Sequence, residues 1–348
     1  MQHLSKMVGQ PLAVSQLAGL YNYAALGGPL VNAIQPTLVF GPSGGGKSKL
    51  LSLFRADCEE RGVHCFQIDD CDTISLQSGA NTADLIEALN ASQIAPVLVI
   101  MDEGQKIFKG SKTKSAMERD LCTLIFPHGE KVQDRITTKI GGEEVIADFR
   151  NLILVRATNE KESMETSSSN RKGETPFARR FRLTEICTYS QKSMEEIIPA
   201  FFEANGFKIG DCAAGMVGRL HRGTMSALCD VMKHVRENVI GKSTVSKADV
   251  VKACRLTDYL PRGLKKGEAR LLDAASRNAI PSARGQVISG HFGKLYQASL
   301  NHLLEQWTEK KGGERVSSPL ISVVGSRIVT TPFGEKFLSS ISKDGFTW

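Results

Sequence analysis

No apolar run in this 348-residue chain reaches the roughly 18 residues needed to span a membrane, and Met1-Gln2-His3-Leu4-Ser5-Lys6 lacks the basic-then-apolar layout of a secretory signal. A cytoplasmic address with no membrane partner is the expectation. None of the eight cysteines (Cys58, Cys65, Cys71, Cys122, Cys187, Cys212, Cys229, Cys254) forms a CxxC pair or sits near two histidines at a zinc spacing. That excludes a metal or redox framework and reads them as reduced, mostly buried thiols. Internal repeats are also missing, so the chain is not a solenoid or propeller.

What is present is the composition of an ordinary globular protein: 41% hydrophobic residues, 23% charged residues and 32 glycines. The length suits two or three domains. The net charge of +7 is unevenly placed. From Gly241 onward there are 17 lysines and arginines against 9 acids, a surplus of eight, which leaves residues 1–240 at −1. Basic charge confined to one end suits a polyanion-binding module, and equally a solvated basic surface.

The amino-terminal half alternates short apolar runs with helix-compatible stretches, the order of an α/β domain around a parallel sheet. Four runs (37–40, 64–68, 96–101 and 151–156) are too continuously apolar for a one-sided sheet and are predicted to be buried parallel strands. Residues 136–140 and 143–147 flank Gly141-Gly142 and predict a β-hairpin, expected to protrude and to offer a surface to a protein partner. Residues 161–175 are polar and Ser-rich, the mark of a loop. From Ser193 to about Arg255 the apolar residues recur at helical spacing, which predicts a small helical domain. Beyond Pro261 the pattern predicts three helices, two short strands around Gly325-Ser326 and a last helix, the order of a winged helix.

Chemistry concentrates at Gly41-Pro42-Ser43-Gly44-Gly45-Gly46-Lys47-Ser48, followed by Lys49. The segment fits GxxxxGK[ST] between a strand and a helix, where glycines let backbone N–H groups surround phosphate oxygens. Lys47 is expected to reach the β and γ phosphates and Ser48 to bind Mg2+. A second apolar strand ends in Asp102-Glu103. Asp102 at the carboxyl edge of the sheet suits the Mg2+ water shell, and Glu103 suits polarisation of the attacking water. An acidic pair there can also simply cap a helix. The fourth strand ends in Ala157-Thr158-Asn159; a strand between the two motif strands would aim Asn159 at the γ-phosphate or the water. The run Phe177-Ala178-Arg179-Arg180-Phe181-Arg182 suits a guanidinium sent into a neighbouring subunit's site, or a basic surface cluster.

Together these residues resemble the AAA+ ATPases. Leu4 to Gln10, with Val8-Gly9-Gln10 at its end, is similar to the adenine-side box of that superfamily. Ser78-Gly79-Ala80 with Ala83 to Ile86, and Gly223-Thr224, resemble the RuvB group of Holliday-junction motors. The resemblance implies a P-loop core with a parallel sheet (residues 1–185), a helical lid (186–258) and a winged-helix-like domain (259–348). It implies ATP and Mg2+ as cofactors, with Val8, Gly41 to Lys49 and Asp102 binding them and Glu103, Asn159 and Arg180 catalytic, Arg180 acting across subunits.

The expected function is an ATP-hydrolysing ring motor on double-stranded DNA, for branch migration or translocation, assembled as a hexameric ring or helical filament. Two departures from the RuvB pattern stand out. Gly223-Thr224 is followed by Met225-Ser226 instead of an arginine two positions on, which leaves that role vacant or passes it to Arg219 or Arg222. Thr331-Pro332-Phe333-Gly334-Glu335 resembles the end of the winged domain without its basic flanks. An ATP-dependent assembly factor or loader is therefore the alternative. Asp148-Phe149-Arg150-Asn151 resembles Clp-type protein remodellers, but the stretch Asp72 to Gln93 holds no Tyr, Phe or Trp to grip polypeptide.

Overall fold

The computed structural model describes residues 1–27, 29–30, 32–41, 44–68, 80–101, 134–140, 143–158, 181–187, 189–220, 225–257, 259, 264–277, 280–281, 306–311, 314–324 and 327–343. The chain divides into two compact units, Met1–Thr188 and Tyr189–Trp348.

In the first unit, β1 (Thr37–Phe40), β2 (His64–Ile68), β3 (Val97–Met101), β6 (Leu152–Thr158) and β7 (Arg182–Glu185) form one sheet in the order β2-β3-β6-β1-β7. Every neighbouring pair is parallel. The three inner strands, β3, β6 and β1, are buried along their whole length, as their unbroken apolar runs require.

Alternate residues face opposite layers. Val39, Leu98, Ile100, Ile153 and Val155 pack with α1 (Pro11–Ala24) and α2 (Lys47–Glu59). Leu38, Phe40, Val97, Val99 and Leu154 pack with α3 (Ala80–Ala91) and with the hairpin β4 (Arg135–Ile140) and β5 (Glu143–Asp148).

The four expected strands are present and parallel, but β2 is not buried as expected: it forms an edge of the sheet, with His64 and Gln67 exposed. β7 is a fifth that the sequence did not signal. It is a four-residue edge strand with a single buried position, so it shows no apolar run. The hairpin forms in the expected register, Ile140 opposite Glu143. Its base does not protrude. Ile136, Val145 and Ala147 are buried against the α3 layer, Ile146 donates its N–H to Asn90 Oδ1 at 3.3 Å, and Asp148 donates its N–H to Ser92 Oγ at 2.8 Å.

The corner Asp148-Phe149-Arg150-Asn151 has a structural job. Asp148, 1% exposed, takes two hydrogen bonds from the Arg150 guanidinium, at 2.9 and 2.6 Å, and a longer one from Arg135 at 3.4 Å. The Arg150 bonds hold the Asp148 carboxyl below the usual range against the opposing effect of burial. Asn151 Nδ2 donates to the Ser92 carbonyl at 2.8 Å.

The second unit begins with helices α4 (Gln191–Ala204), α5 (Asp211–Gly218), α6 (Met225–Asn238) and α7 (Lys247–Leu256). Two-residue strands β8 (Lys208–Ile209) and β9 (Thr244–Val245) pair in parallel between them. Ser246 caps α7 in a capping box with Asp249, whose carboxylate also takes Lys242; these bonds hold Asp249 down to about 2.

Farther on, α8 (Lys266–Arg277) and α9 (Pro332–Lys343) share a core with an antiparallel sheet of β10 (Ile280–Pro281), β14 (Arg327–Thr330) and β13 (Ile321–Val324). Strands β11 (Gln306–Lys311) and β12 (Glu314–Pro319) form a separate hairpin. The sequence predicts only helices between Pro261 and the strands around Gly325-Ser326, so β11 and β12 are strands it does not predict; residues 282–305 lie outside those described. The Thr331-Pro332 pair starts α9: Thr331 Oγ1 accepts the Gly334 N–H at 2.9 Å, and Pro332 supplies the first-turn residue that needs no donor.

Two thiols are buried as expected, Cys58 and Cys254, but Cys187 and Cys212 are exposed. Among the described residues no helix is long and apolar enough to cross a membrane.

Candidate nucleotide site

Strand β1 ends at Phe40, and the chain turns through Gly41 into the loop. Gly41 has φ of 154°, and a Cβ there would stand 2.7 Å from the Ile186 carbonyl oxygen and 2.9 Å from its Cβ. Only glycine passes so close to the neighbouring backbone. Gly46 is left-handed, with φ of 95°, and its carbonyl accepts the Leu50 N–H at 2.9 Å, so α2 starts at once on Lys47. The amino end of α2 thus points its leading N–H groups toward the loop, the arrangement that binds an anion.

Lys47 is 6% exposed, and its Nζ donates to the Gly41 carbonyl at 2.9 Å, across the mouth of the loop. Ser48 and Lys49 follow on the exposed side of the first turn. Gly44, with φ of 70°, and the buried Gly45 complete the described part. Pro42 and Ser43 lie outside the described residues.

The neighbours of this loop are set by sheet order. β6 lies between β1 and β3, with Phe40 beside Thr158 and Met101 beside Arg156. Asp102-Glu103 directly follow Met101, and Asn159 directly follows Thr158. Three parallel strands therefore bring their carboxyl ends, Phe40, Met101 and Thr158, to one edge of the sheet, the edge at which the glycine loop begins. Asp102, Glu103 and Asn159 themselves are outside the described residues, as are Arg179, Arg180, Gly223 and Thr224. Arg182, the first residue of β7, is in register with Thr37 at the opposite, amino edge.

Val8 belongs to a half-buried amino-terminal segment that is fastened at two points. His3 and Leu4 donate their N–H groups to the Asp57 carboxylate on α2 at 3.0 and 2.8 Å. Burial by itself would push the Asp57 carboxyl up, but those two N–H bonds and the amino terminus outweigh it and hold it below the usual value. Gln10 bonds the backbone of Cys187. Sequence reading passed over Asp57 and saw in Gln10 only the end of the adenine-side box, because no local pattern announces partners 53 or 177 residues away. It also passed over Arg156, 2% exposed within β6; a cation inside an apolar strand run was the signal available.

A parallel sheet, a glycine loop running into a helix amino terminus and a lysine buried over that loop define a P-loop nucleotide-binding domain of α/β class. Residues 37–179 match the sequence profile of the family described as "ATPase family associated with various cellular activities (AAA)". Over nearly its whole length the chain is similar in fold to RuvB of Thermotoga maritima. A single-site mutant of that protein matches with a TM-score of 0.63 at 15% identity, covering 97% of this chain and 98% of the other. The structure described as the T. maritima RuvB Holliday junction branch migration motor matches with a TM-score of 0.60 at 15% identity, covering 95% of each chain. Comparison with curated proteins by sequence gives no match.

Proposed function

We propose that the protein is a Mg2+-dependent ATPase that works as an oligomer on double-stranded DNA in the cytoplasm, converting hydrolysis into branch migration or translocation as RuvB does. The observation that carries the ATPase part is the convergence of three strand ends on one edge beside a loop that a Cβ at Gly41 would obstruct. The residues fit ATP·Mg2+. Gly41 to Ser48 would cradle the phosphates, with Lys47 neutralising the β and γ oxygens, and Ser48 and Asp102 would hold the metal. The metal would neutralise charge developing on the transferred phosphoryl group. Glu103 would orient and deprotonate the attacking water, and Asn159 would hold that water or the γ-phosphate. Val8 and Lys49 flank the nucleotide.

Arg180 is proposed to act across subunits. The chain enters β7 at the amino edge of the sheet, roughly 13 Å of strand away from the Gly41 edge of the same subunit. That favours service to a neighbour's site over service to its own. DNA binding is assigned to a winged-helix-like module within residues 259–348, on the basic surplus of the tail and the fold likeness to RuvB. The hairpin of β4 and β5 remains a candidate surface for a protein partner at the exposed Glu143 and Glu144, and its seated base narrows that surface.

A second reading, an ATP-dependent assembly factor or loader, is favoured by one feature: the two residues after Gly223-Thr224 are Met225 and Ser226, which open α6 without a cation. A switch tolerates looser coupling between lid and core than a motor does. DNA-stimulated ATPase measured beside a branch-migration assay separates the two, because a motor converts turnover into strand exchange and a loader does not. Micrographs with a slowly hydrolysed ATP analogue, with and without duplex DNA, distinguish closed rings from open filaments. Magnesium-dependent ATPase that survives both Lys47→Ala and Glu103→Gln unchanged would refute the site assignment.

A further inference from the structure

The beginning of the chain and the segment that leaves the sheet meet beside the phosphate loop through one side chain. Gln10 is 2% exposed, and its amide spends both of its strands of hydrogen bonding on one residue. Nε2 donates to the Cys187 carbonyl at 2.7 Å, and Oε1 accepts the Cys187 N–H at 3.0 Å. A paired donor and acceptor fix a backbone segment in both position and rotation, as a strand neighbour would. One residue upstream, Ile186 donates its N–H to the Phe40 carbonyl at 2.8 Å, and its own carbonyl oxygen is the atom that crowds Gly41. Gln10 therefore grips the stretch of backbone that lies against the first glycine of the loop.

The two residues just before Gln10 are Val8 and Gly9. Upstream of them, His3 and Leu4 are tied to Asp57 on α2, the helix that the loop feeds. The Val8–Gly9 segment is thus strung between two anchors, one on α2, which the loop feeds, and one just past β7, the strand paired with β1. Gly9 is left-handed, with φ of 80°, so the segment turns sharply just before the Gln10 anchor.

We propose that Gln10 is a positioning residue for nucleotide binding: it registers the base side of the site, Val8–Gly9, against Ile186–Cys187 and so against the phosphate side at Gly41. The inference rests on the ATP-site reading above and adds a residue to it. Phosphate binding depends on the loop and the start of α2, whose shape is set by Gly41, Gly44 and Gly46. Loss of the Gln10 bonds should then weaken recognition of the base while leaving recognition of the phosphates intact.

The test uses the full chain, with ATP and inorganic tripolyphosphate as probes, each with Mg2+, and with thermal melts run alongside. Gln10→Leu keeps the side-chain volume and removes donor and acceptor together. Two neutral hydrogen bonds toward the lower end of the ordinary net strength correspond to about tenfold in affinity. The expected result is about tenfold weaker ATP binding, a KM raised by the same factor, a kcat at saturation within about twofold of wild type, and unchanged tripolyphosphate affinity. Gln10→Glu keeps an acceptor for the Cys187 N–H but faces its carbonyl with an anion, and should weaken ATP at least as much. If Gln10→Leu does not fold, Gln10→Asn, one methylene too short to span both bonds, is read in the same way. Parallel loss of ATP and tripolyphosphate affinity, or loss of neither, overturns the proposal and leaves Gln10 a fold staple. Wild-type protein that binds neither probe overturns the nucleotide site itself and this proposal with it.

Discussion

Substitution of alanine for Gly41 isolates what the first glycine of the loop does. The new methyl would stand 2.7 Å from the Ile186 carbonyl oxygen and 2.9 Å from the Ile186 Cβ, about 0.5 Å or more inside ordinary contact. Ile186 cannot easily retreat, because its N–H is bonded to the Phe40 carbonyl at 2.8 Å and the Cys187 backbone is gripped by Gln10. The strain must therefore open the loop or part β7 from β1. Overpacking of this kind costs about 1 to 3 kcal/mol, which for a unit of this size lowers Tm by roughly 3 to 10 °C.

Gly62→Ala is the matched control. Gly62 is also left-handed, with φ of 74°, but nothing lies within 4 Å of the position a Cβ would take. Its cost is backbone strain alone, about 1 to 2 kcal/mol. Both variants should melt earlier, but only Gly41→Ala should lose nucleotide affinity, by about tenfold or more, since only it deforms the loop. The assays are thermal melts and titration with a fluorescent ATP analogue. Equal affinity in the two variants would refute the reasoning that the close approach of Ile186 shapes the site.

Arg180→Ala and Glu103→Gln are each expected to be inactive alone, and mixing the two proteins should restore ATPase activity, because one subunit supplies the arginine that another subunit's intact Glu103 site needs; mixed assemblies without activity at every ratio would argue against a shared site. In the second unit, Asp249 is held down to about 2 by Lys242 and by Ser246. Its contribution to stability is complete above the unfolded value near 4 and disappears as pH falls toward 2, so acid unfolding of Lys242→Met should begin at higher pH than wild type. A melt that shifts equally at pH 7 and pH 3 would remove that ion pair from the acid response. If the basic tail binds duplex DNA through its backbone, log affinity should fall linearly with log salt at about −0.9 per phosphate contacted. Arg327→Ala in the full chain should flatten that slope by about one unit, and a slope that does not change excludes Arg327 from phosphate contact.

The sequence by itself determined the features whose physics is local. The order of a glycine loop between strand and helix is written in eight consecutive residues. Burial on both faces of β1, β3 and β6 is legible because each run is apolar throughout. The β4–β5 turn follows from paired glycines, and the Ser246–Asp249 capping box needs residues only three apart.

Tertiary structure decided whatever depends on residues distant in the chain. Placing β6 between β3 and β1 brings three separate motif strands to one edge, and no spacing rule states that order. β7 joins beside β1 although its own four residues lack a strand's apolar signature; the edge of the sheet supplies its hydrogen bonds. The hairpin of β4 and β5, expected to stand clear, is seated because Asn90 and Ser92 on and just after α3 bond its backbone. Gln10 looks like the polar end of a motif until the fold brings Cys187 to it. Local hydrogen bonding and hydrophobic periodicity are encoded within a few residues of each other, whereas the partners of a buried polar group are chosen by which strands lie side by side, and that is settled only when the whole core packs.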